Sequence, residues 1–200
     1  MNDFLNGVYE ALIATSRWEG VAVVLSVAYL LLAMRQSLWC WPAAFVSTLI
    51  FAILFFDAAL LMDSVLNGYY LVMAVYGWYA WRHGKMGEKA LHVSSWSVAK
   101  NLIIILVLGT VSLGFGYVME TYTHADFAYL DSATTVFAVF TTYMLAQKVL
   151  ENWLYWVVID AVSIYIYIEK AFYLTAVLFC LYTVLALWGF FQWKNDAKRL

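Results

Sequence analysis

Charged residues are scarce in this 200-residue chain, where Asp, Glu, Lys and Arg together make up only 12%. Soluble domains average about 25% charged residues, because their surfaces must face water. Here 66% of the residues are hydrophobic and the mean hydropathy is +0.80. The chain lacks the polar surface of a water-soluble protein, so we predict that its partner is a lipid bilayer and not a nucleic acid.

Proline and cysteine are rare as well, and the familiar catalytic motifs are missing. The one proline, Pro42, lies near the start of an apolar stretch, which excludes hinges built on mid-helix prolines. Cys40 and Cys180 lack CxxC spacing, so neither a disulfide nor a metal site is predicted. The sequence contains no HExxH, GxSxG or P-loop motif. We therefore predict a protein that is not an enzyme and uses no cofactor.

Seven apolar stretches approach or reach the roughly 20 residues that a membrane-spanning helix needs. They are residues 20–34, 36–56, 64–81, 102–119, 132–147, 152–168 and 171–193. Ahead of them, residues 1–18 form a predicted extracytoplasmic segment in which Phe4, Val8, Leu12 and Ile13 fall on one helical face. No cleavable signal peptide is expected in this segment.

Lysine and arginine are unequally divided between the two ends of these stretches. The end that carries the N-terminus has only Arg17 and Lys170, whereas the opposite end has the other nine of the 11. Basic residues concentrate on the cytoplasmic side of membrane proteins. We therefore predict an outside N-terminus and a cytoplasmic C-terminus, which requires an odd number of spans.

A shift of 112 residues brings landmarks of the two halves into register. The matching pairs are Trp41 and Trp153, Asp57 and Glu169, Tyr70 and Tyr182, Gly77 and Gly189, and Trp81 and Trp193. They predict an all-α membrane protein with two parallel three-helix repeats around a linker helix, the 3+1+3 arrangement of SWEET transporters. The first bundle is residues 19–82, and residues 83–128 hold a basic loop, the linker helix and an outer loop. The second bundle with a short tail is residues 129–200.

Asp160 is the clearest ionisable residue at membrane depth. A buried charge costs about 2.5–3.5 kcal/mol on insertion scales, so it needs a cavity or a partner. Asn152, Trp156 and Ser163 share its helical face in the sixth span. An indole and a carboxylate together suit an aromatic ring that carries positive charge. The alternative is that Asp160 bonds a Tyr or Thr of a neighbouring helix and only stabilises packing.

Further candidate binding residues lie in the third and fifth spans. Asp131 and Thr135 share a face with Thr142, where packing is the competing interpretation. Asn67 and Trp78 fall on one face of the third span. For Asn67, a role in lining a cavity and a role in helix packing are equal alternatives. Asp131, Thr135, Asn67 and Trp78 complete the predicted substrate site.

Three segments carry a family resemblance: Tyr-Gly-Trp-Tyr-Ala-Trp at 76–81, Leu-Asp-Ser at 130–132 and Glu-Asn-Trp-Leu-Tyr-Trp at 151–156. Together they resemble the PnuC family of bacterial vitamin transporters. The resemblance implies the 3+1+3 arrangement and facilitated diffusion of an unphosphorylated vitamin across the bacterial inner membrane. It also implies a functional link to a cytoplasmic vitamin kinase, and it leaves a homo-oligomer open.

The family divides into carriers of nicotinamide riboside, thiamine and riboflavin. Asn152 and Trp156 match the nicotinamide riboside pattern, but that branch has asparagine where this chain has Asp160. That branch also tends to have an asparagine just before Tyr-Gly-Trp, where this chain has Ala74 and Val75. Thiamine and nicotinamide riboside are cationic, whereas riboflavin is neutral. We therefore rank thiamine slightly above nicotinamide riboside, with riboflavin third. A non-transporting membrane sensor or subunit is the alternative function.

Overall fold

The computed structural model describes residues 2–57, 61–84, 91–123 and 126–198, and within them the chain forms eight α-helices. They are α1 (Asn2–Ala14), α2 (Arg17–Met34), α3 (Cys40–Asp57), α4 (Leu61–His83), α5 (Val98–Thr123), α6 (Ala128–Ala146), α7 (Asn152–Glu169) and α8 (Tyr173–Ala197). The predicted all-helical class is confirmed. Lys85, Lys89 and Arg199, which count toward the predicted basic side, lie outside the described residues.

The helices α2 to α8 coincide with the seven apolar stretches, and α1 lies in the predicted N-terminal segment. Within the described residues, four helices are long and apolar enough to cross a membrane: α2, α3, α5 and α8. Large apolar side chains are exposed along them, among them Leu106 on α5 and Val184 on α8. Because water disfavours such a surface, the chain is a multi-pass membrane protein.

Helix α3 contacts both α2 and α4, and α7 contacts both α6 and α8; we call these two groups the first and the second bundle. Helix α5 packs on α6, and α1 packs on α8. The bundles meet where α2 contacts α8 and α4 contacts α6. Contacts between helix ends define two sides, since Lys148 meets Gln36 at one and Lys170 meets Asp131 at the other. We call the side with Arg35, Arg82, Lys148 and Lys194 the basic end and the side with Asp57, Asp131 and Glu169 the acidic end.

The turns that leave α2 and α6 have the same geometry. Gln36 and Lys148 follow these helices with φ angles of 52° and 51°. The next amides, of Ser37 and Val149, each donate a 2.9 Å hydrogen bond to a carbonyl five residues back. This is a left-handed helix cap of the Schellman type, here without glycine. Both turns are therefore tight and direct the following helix back along the one before it.

A row of four tryptophans joins the bundles at the basic end. Trp41 packs edge-on against Trp81 at 5.3 Å, Trp153 against Trp193 at 5.4 Å, and Trp81 lies 6.1 Å from Trp193. The indole nitrogen of Trp81 donates across the interface to Leu145 O at 3.4 Å, and that of Trp193 donates to the carbonyls of Ala33 and Met34 at 3.1 Å. These contacts fix how closely the bundles approach each other.

Replacement of Gly189 by alanine is expected to destabilise the protein, because Trp153 lies against the glycine backbone. A Cβ at this position would lie 2.8 Å from two atoms of that indole, closer than atoms can pack. Overpacking of this kind costs about 1–3 kcal/mol. Gly109→Ala on α5, where nothing lies within 4 Å of the added carbon, is the matched control and should be neutral or stabilising. Thermal unfolding in detergent measures both, and equal melting temperatures would contradict the packing described.

Candidate functional site

The four predicted residues of the sixth span lie on the inner side of α7. Asn152, Asp160 and Ser163 are buried, with 0%, 3% and 7% of their surfaces exposed, and Trp156 is half-buried against the core. The opposite side of α7 carries exposed apolar residues such as Val158. An amide, an indole, a carboxylate and a hydroxyl therefore line one protein-facing side of α7.

Asn152 has a fixed orientation and a free acceptor. Its amide nitrogen donates a 2.6 Å hydrogen bond to Val149 O. A carbonyl can only accept, so the NH₂ group must occupy this side and Oδ1 must point away from it. Oδ1 is buried without a hydrogen-bond partner in the described structure. Such orphaned acceptors are rare in proteins and mark places where a ligand or an ordered water completes the site.

Asp160 is a buried carboxylate without a partner of opposite charge. None of the residues that the structure describes hydrogen-bonds or ion-pairs with it. The phenol of Tyr182 on α8 is a group within electrostatic range. A buried carboxylate is costly unless a cation or hydrogen-bond donor meets it, and none of the described residues supplies one.

A hydrogen bond from α8 to α2 explains why Tyr182 leaves Asp160 unsatisfied. The hydroxyls of Ser26 and Tyr182 lie 2.7 Å apart, and Ser26 Oγ donates to Val23 O at 2.8 Å. Because the single serine proton is used on Val23, the tyrosine proton must go to Ser26. The phenol oxygen of Tyr182 can then only accept. The packing alternative, a tyrosine that donates to Asp160, is not realised at this residue.

The remaining predicted site residues have other partners. Asp131 forms a 3.1 Å ion pair with Lys170 at the acidic end. The amide of Asn67 donates to Asp63 O of its own helix at 2.8 Å, and Thr135 is exposed. At the basic end, the Arg82 guanidinium lies 4.9 Å from the ring of Trp78. The structure thus brings together the four α7 residues, and it places these other four toward the two ends or on an exposed side.

Lys148 takes part in a polar network at the basic end that we call the latch, formed by Gln36, Lys148 and Asp196. Lys148 Nζ donates to Gln36 Oε1 at 3.1 Å, and Gln36 Nε2 donates to Asp196 Oδ2 at 3.0 Å. The ammonium also lies 4.7 Å from the centre of the Trp81 ring. Burial lowers the pKa of Lys148, and the nearby Cys40 thiol opposes that shift. The latch connects α2, the α6–α7 turn and α8 across the bundle interface.

A groove of about 600 Å³ also runs between α5, α6 and α7. Its walls are mainly apolar and include Phe137, Leu154 and Val158, which lie on the outer side of their helices. Asn152, Trp156 and Asp160 are not among its lining residues. In the described residues, no three His, Cys, Asp or Glu side chains are placed to hold a metal ion.

Sequence reasoning missed the residues that act across helices. Tyr182 was recognised only as the counterpart of Tyr70, and Ser26 was not considered. Lys148 was counted as a loop charge, although the same 112-residue shift pairs it with Gln36, its hydrogen-bond partner. Thr141, whose hydroxyl is buried without a partner in the described residues, is not among the predicted site residues.

Comparisons with known proteins point to one family. Residues 16–195 match the family described as "Nicotinamide mononucleotide transporter". The chain is 25% identical over 184 residues to the riboflavin/roseoflavin transporter RibM of Streptomyces davaonensis, which covers 90% of this chain and 85% of RibM. It is 24% identical over 205 residues to the nicotinamide riboside transporter PnuC of Escherichia coli, at 90% and 86% coverage. The crystal structure of the vitamin B3 transporter PnuC has a similar fold, with a TM-score of 0.75, 16% identity and coverage of 98% of this chain and 90% of that one.

Proposed function

The chain belongs to the nicotinamide mononucleotide transporter family, the PnuC family, and from that premise we propose that it carries an unphosphorylated cationic B vitamin into the cell by facilitated diffusion. Thiamine is the first candidate substrate and nicotinamide riboside the second. Riboflavin is third, and the similarity to RibM keeps it among the substrates to be tested. A cytoplasmic kinase would trap the vitamin by phosphorylation.

The observation that carries this proposal is the unpaired, buried carboxylate of Asp160. A cationic ring placed beside it would supply the missing charge, with the half-buried Trp156 able to stack on that ring. The orphaned Oδ1 of Asn152 would accept from an amino or amide group of the same ligand. These groups lie on one helix side, with Asn152 and Asp160 eight residues, and so about 12 Å, apart along the helix axis.

We further propose that α2 to α8 are seven membrane helices in a 3+1+3 arrangement, with α5 as the linker. Support comes from matching geometry at a distance of 112 residues. The bounds Cys40–Asp57 of α3 correspond to Asn152–Glu169 of α7, and Gly77 packs on Trp41 as Gly189 packs on Trp153. In two pairs of residues related by this shift, the two members are in contact: Gln36 bonds Lys148, and Trp81 contacts Trp193. Contacts of this kind are expected where a two-fold axis relates two repeats.

The basic end is proposed to face the cytoplasm of a bacterial inner membrane. The latch and the four tryptophans then close the cytoplasmic side of the interface in this conformation. Substrate release inside requires them to separate while the bundles rock around a site near Asp160. The division into residues 1–18, 19–82, 83–128 and 129–200 remains part of this proposal.

Uptake by purified protein in liposomes tests the function directly. We expect labelled thiamine to equilibrate faster than in empty vesicles, without ATP or an ion gradient, and to saturate. Nicotinamide riboside and riboflavin, measured in parallel, rank the substrates. Flux of none of the three would contradict the proposal and favour a membrane sensor or subunit. Faster equilibration of riboflavin than of both cations would contradict the role given to Asp160.

A further inference from the structure

Residues 91–97, which we call the strap, run across the basic end between α4 and α5. Leu91 is 5% exposed and belongs to the core cluster that includes the tryptophans of both bundles. Ser94 forms a parallel bridge with Val149 in the turn between α6 and α7. The amide of Ser94 donates to Lys148 O at 3.0 Å, and the amide of Leu150 donates to Ser94 O at 2.8 Å. The strap is therefore bonded to the backbone on both sides of Val149.

Glu151 clamps the strap from the other direction. Its carboxylate accepts a 2.5 Å hydrogen bond from Ser95 Oγ and a 3.0 Å hydrogen bond from the backbone amide of Trp96. Hydrogen bonds to an ionised acceptor are stronger than neutral ones. Glu151 opens the most specific family segment of this chain, yet both of its oxygens are engaged away from the proposed site. Its role in the described structure is to hold the strap against the α6–α7 turn.

The bonded turn leads directly to Asn152. The carbonyl of Val149, between the two backbone bonds to the strap, accepts the hydrogen bond from Asn152 Nδ2. If Val149 moved, the amide of Asn152 would lose the contact that sets its rotation. Its Oδ1 would then no longer be a fixed acceptor. Binding would have to order the Asn152 side chain, and the lost conformational entropy of that side chain would weaken the affinity for the ligand.

In the part of the first bundle that the structure describes, there is no corresponding clamp. Under the 112-residue shift, Glu151 corresponds to Trp39, which is 72% exposed. Asn152 corresponds to Cys40. In the described residues no strap segment bonds to the α2–α3 turn. The clamp and the polar site residue therefore occur together in the second bundle, which connects the two features.

We propose that Glu151 is a positioning residue: through the strap and Val149 it fixes the orientation in which Asn152 receives the vitamin. This inference rests on the proposed function, because it assumes a ligand at Asn152. Glu151 itself does not contact that ligand. The strap is then a part of the binding site built by the linker between the repeats.

The test combines a ligand-free and a ligand-dependent measurement on the full-length protein in detergent. In Glu151→Ala, amide hydrogen exchange in residues 148–151 should be faster than in the unaltered protein, whether or not any vitamin binds. Affinity for thiamine and for nicotinamide riboside, measured by calorimetry, should fall about tenfold, the worth of one well-placed hydrogen bond. Glu151→Gln keeps one acceptor oxygen and should give intermediate values. Glu169→Ala, an exposed acid at the other end of α7, should change neither.

A disulfide separates positioning from direct contact. Bridge partners on neighbouring strands lie about 4.8 Å apart, within the range of a disulfide. The test variant combines Ser94→Cys and Val149→Cys with Glu151→Ala and Cys180→Ser. Its vitamin affinity should rise when oxidant forms the disulfide and fall again when reductant breaks it. Unchanged affinity in Glu151→Ala, or lost affinity that the formed disulfide does not restore, would overturn the proposal. If the unaltered protein binds neither vitamin, the proposed function fails, and unchanged exchange in Glu151→Ala would separately refute the clamp.

Discussion

Replacement of Asp160 by asparagine is expected to reduce the affinity for thiamine and nicotinamide riboside by at least about thirtyfold. Loss of one partner of a desolvated charge pair costs about 2–5 kcal/mol, and 1.4 kcal/mol corresponds to a factor of ten. The effect should be this large because no other described side chain offers a negative charge to the ligand at this depth. Calorimetry on the purified protein measures the affinity, and liposome uptake should fall in parallel.

The same substitution should not destabilise the protein without ligand. Asparagine has nearly the shape of aspartate and removes a buried charge that has no partner in the described residues, so the melting temperature should stay equal or rise. Asp57→Asn, at the exposed acidic end of α3, is the matched control and should leave affinity unchanged. An unchanged affinity of Asp160→Asn together with a lower melting temperature would return Asp160 to a packing role.

The helices of this fold follow closely from hydropathy, because a bilayer forces apolar stretches into helices that satisfy their own backbone. The differences lie at the ends. The structure starts α5 at Val98 and ends it at Thr123, whereas the apolar stretch was taken as residues 102–119. Lys100 and Glu120 fall within the longer helix, since charged side chains near a membrane surface can extend into water from a helical backbone. Hydropathy therefore places each helix but underestimates the length of all except α3, which has 18 residues where the predicted stretch 36–56 has 21.

The inner side of α7 was also predictable, because residues three and four apart share a face of any helix. What the sequence could not supply was the contacts between helices. The hydroxyl of Tyr182 bonds Ser26, which lies 156 residues away, and does not donate to Asp160. Likewise, Lys170 meets Asp131 and occupies a carboxylate that had been assigned to the substrate. Periodicity reports on one helix at a time, and these pairings depend on how the bundles pack.

The resemblance to the PnuC family, which the sequence comparison confirms, was carried by short segments whose individual residues have different roles. In the Glu-Asn-Trp segment, Glu151 bonds the strap, Asn152 has a buried acceptor without a partner in the described residues, and Trp153 packs on Gly189. A motif of adjacent residues thus serves three surfaces of one helix end. Only the packing geometry distinguishes the residue that can contact a ligand from those that support it.

Reversal of the charge on Lys148 is expected to reduce vitamin uptake at least about tenfold. Lys148 is 8% exposed and donates to Gln36, which in turn donates to Asp196. In Lys148→Glu, two carboxylates would compete for the one amide group of Gln36, and the new one would be buried beside the Trp81 ring. An uncompensated buried charge costs about 3–5 kcal/mol, so the conformation with a closed basic end would no longer be populated. Uptake requires that conformation as one half of the transport cycle.

The amide of Gln36 offers a way to repair the latch. A glutamine amide has a donor and an acceptor end, and rotation about its last torsion exchanges them. In the double variant Lys148→Glu with Asp196→Lys, Gln36 Nε2 can donate to the new glutamate while Oε1 accepts from the new lysine. Uptake should rise at least about fivefold above that of Lys148→Glu alone, because both charges regain a partner. Full recovery is not expected, since the contact between the ammonium and the Trp81 ring is lost.

Two controls separate the latch from general charge effects in this measurement. Lys194→Glu reverses a charge at the same end of the protein, but Lys194 is exposed and lies over Phe190 instead of at the bundle interface. It should leave uptake nearly unchanged, because solvent screens its charge. Vitamin affinity of Lys148→Glu is measured in parallel, because Lys148 precedes Val149, whose carbonyl orients Asn152. A loss of uptake larger than the loss of affinity assigns the effect to the latch. A double variant as inactive as Lys148→Glu, at equal protein levels, would mean that the Gln36 network does not control closure of the basic end.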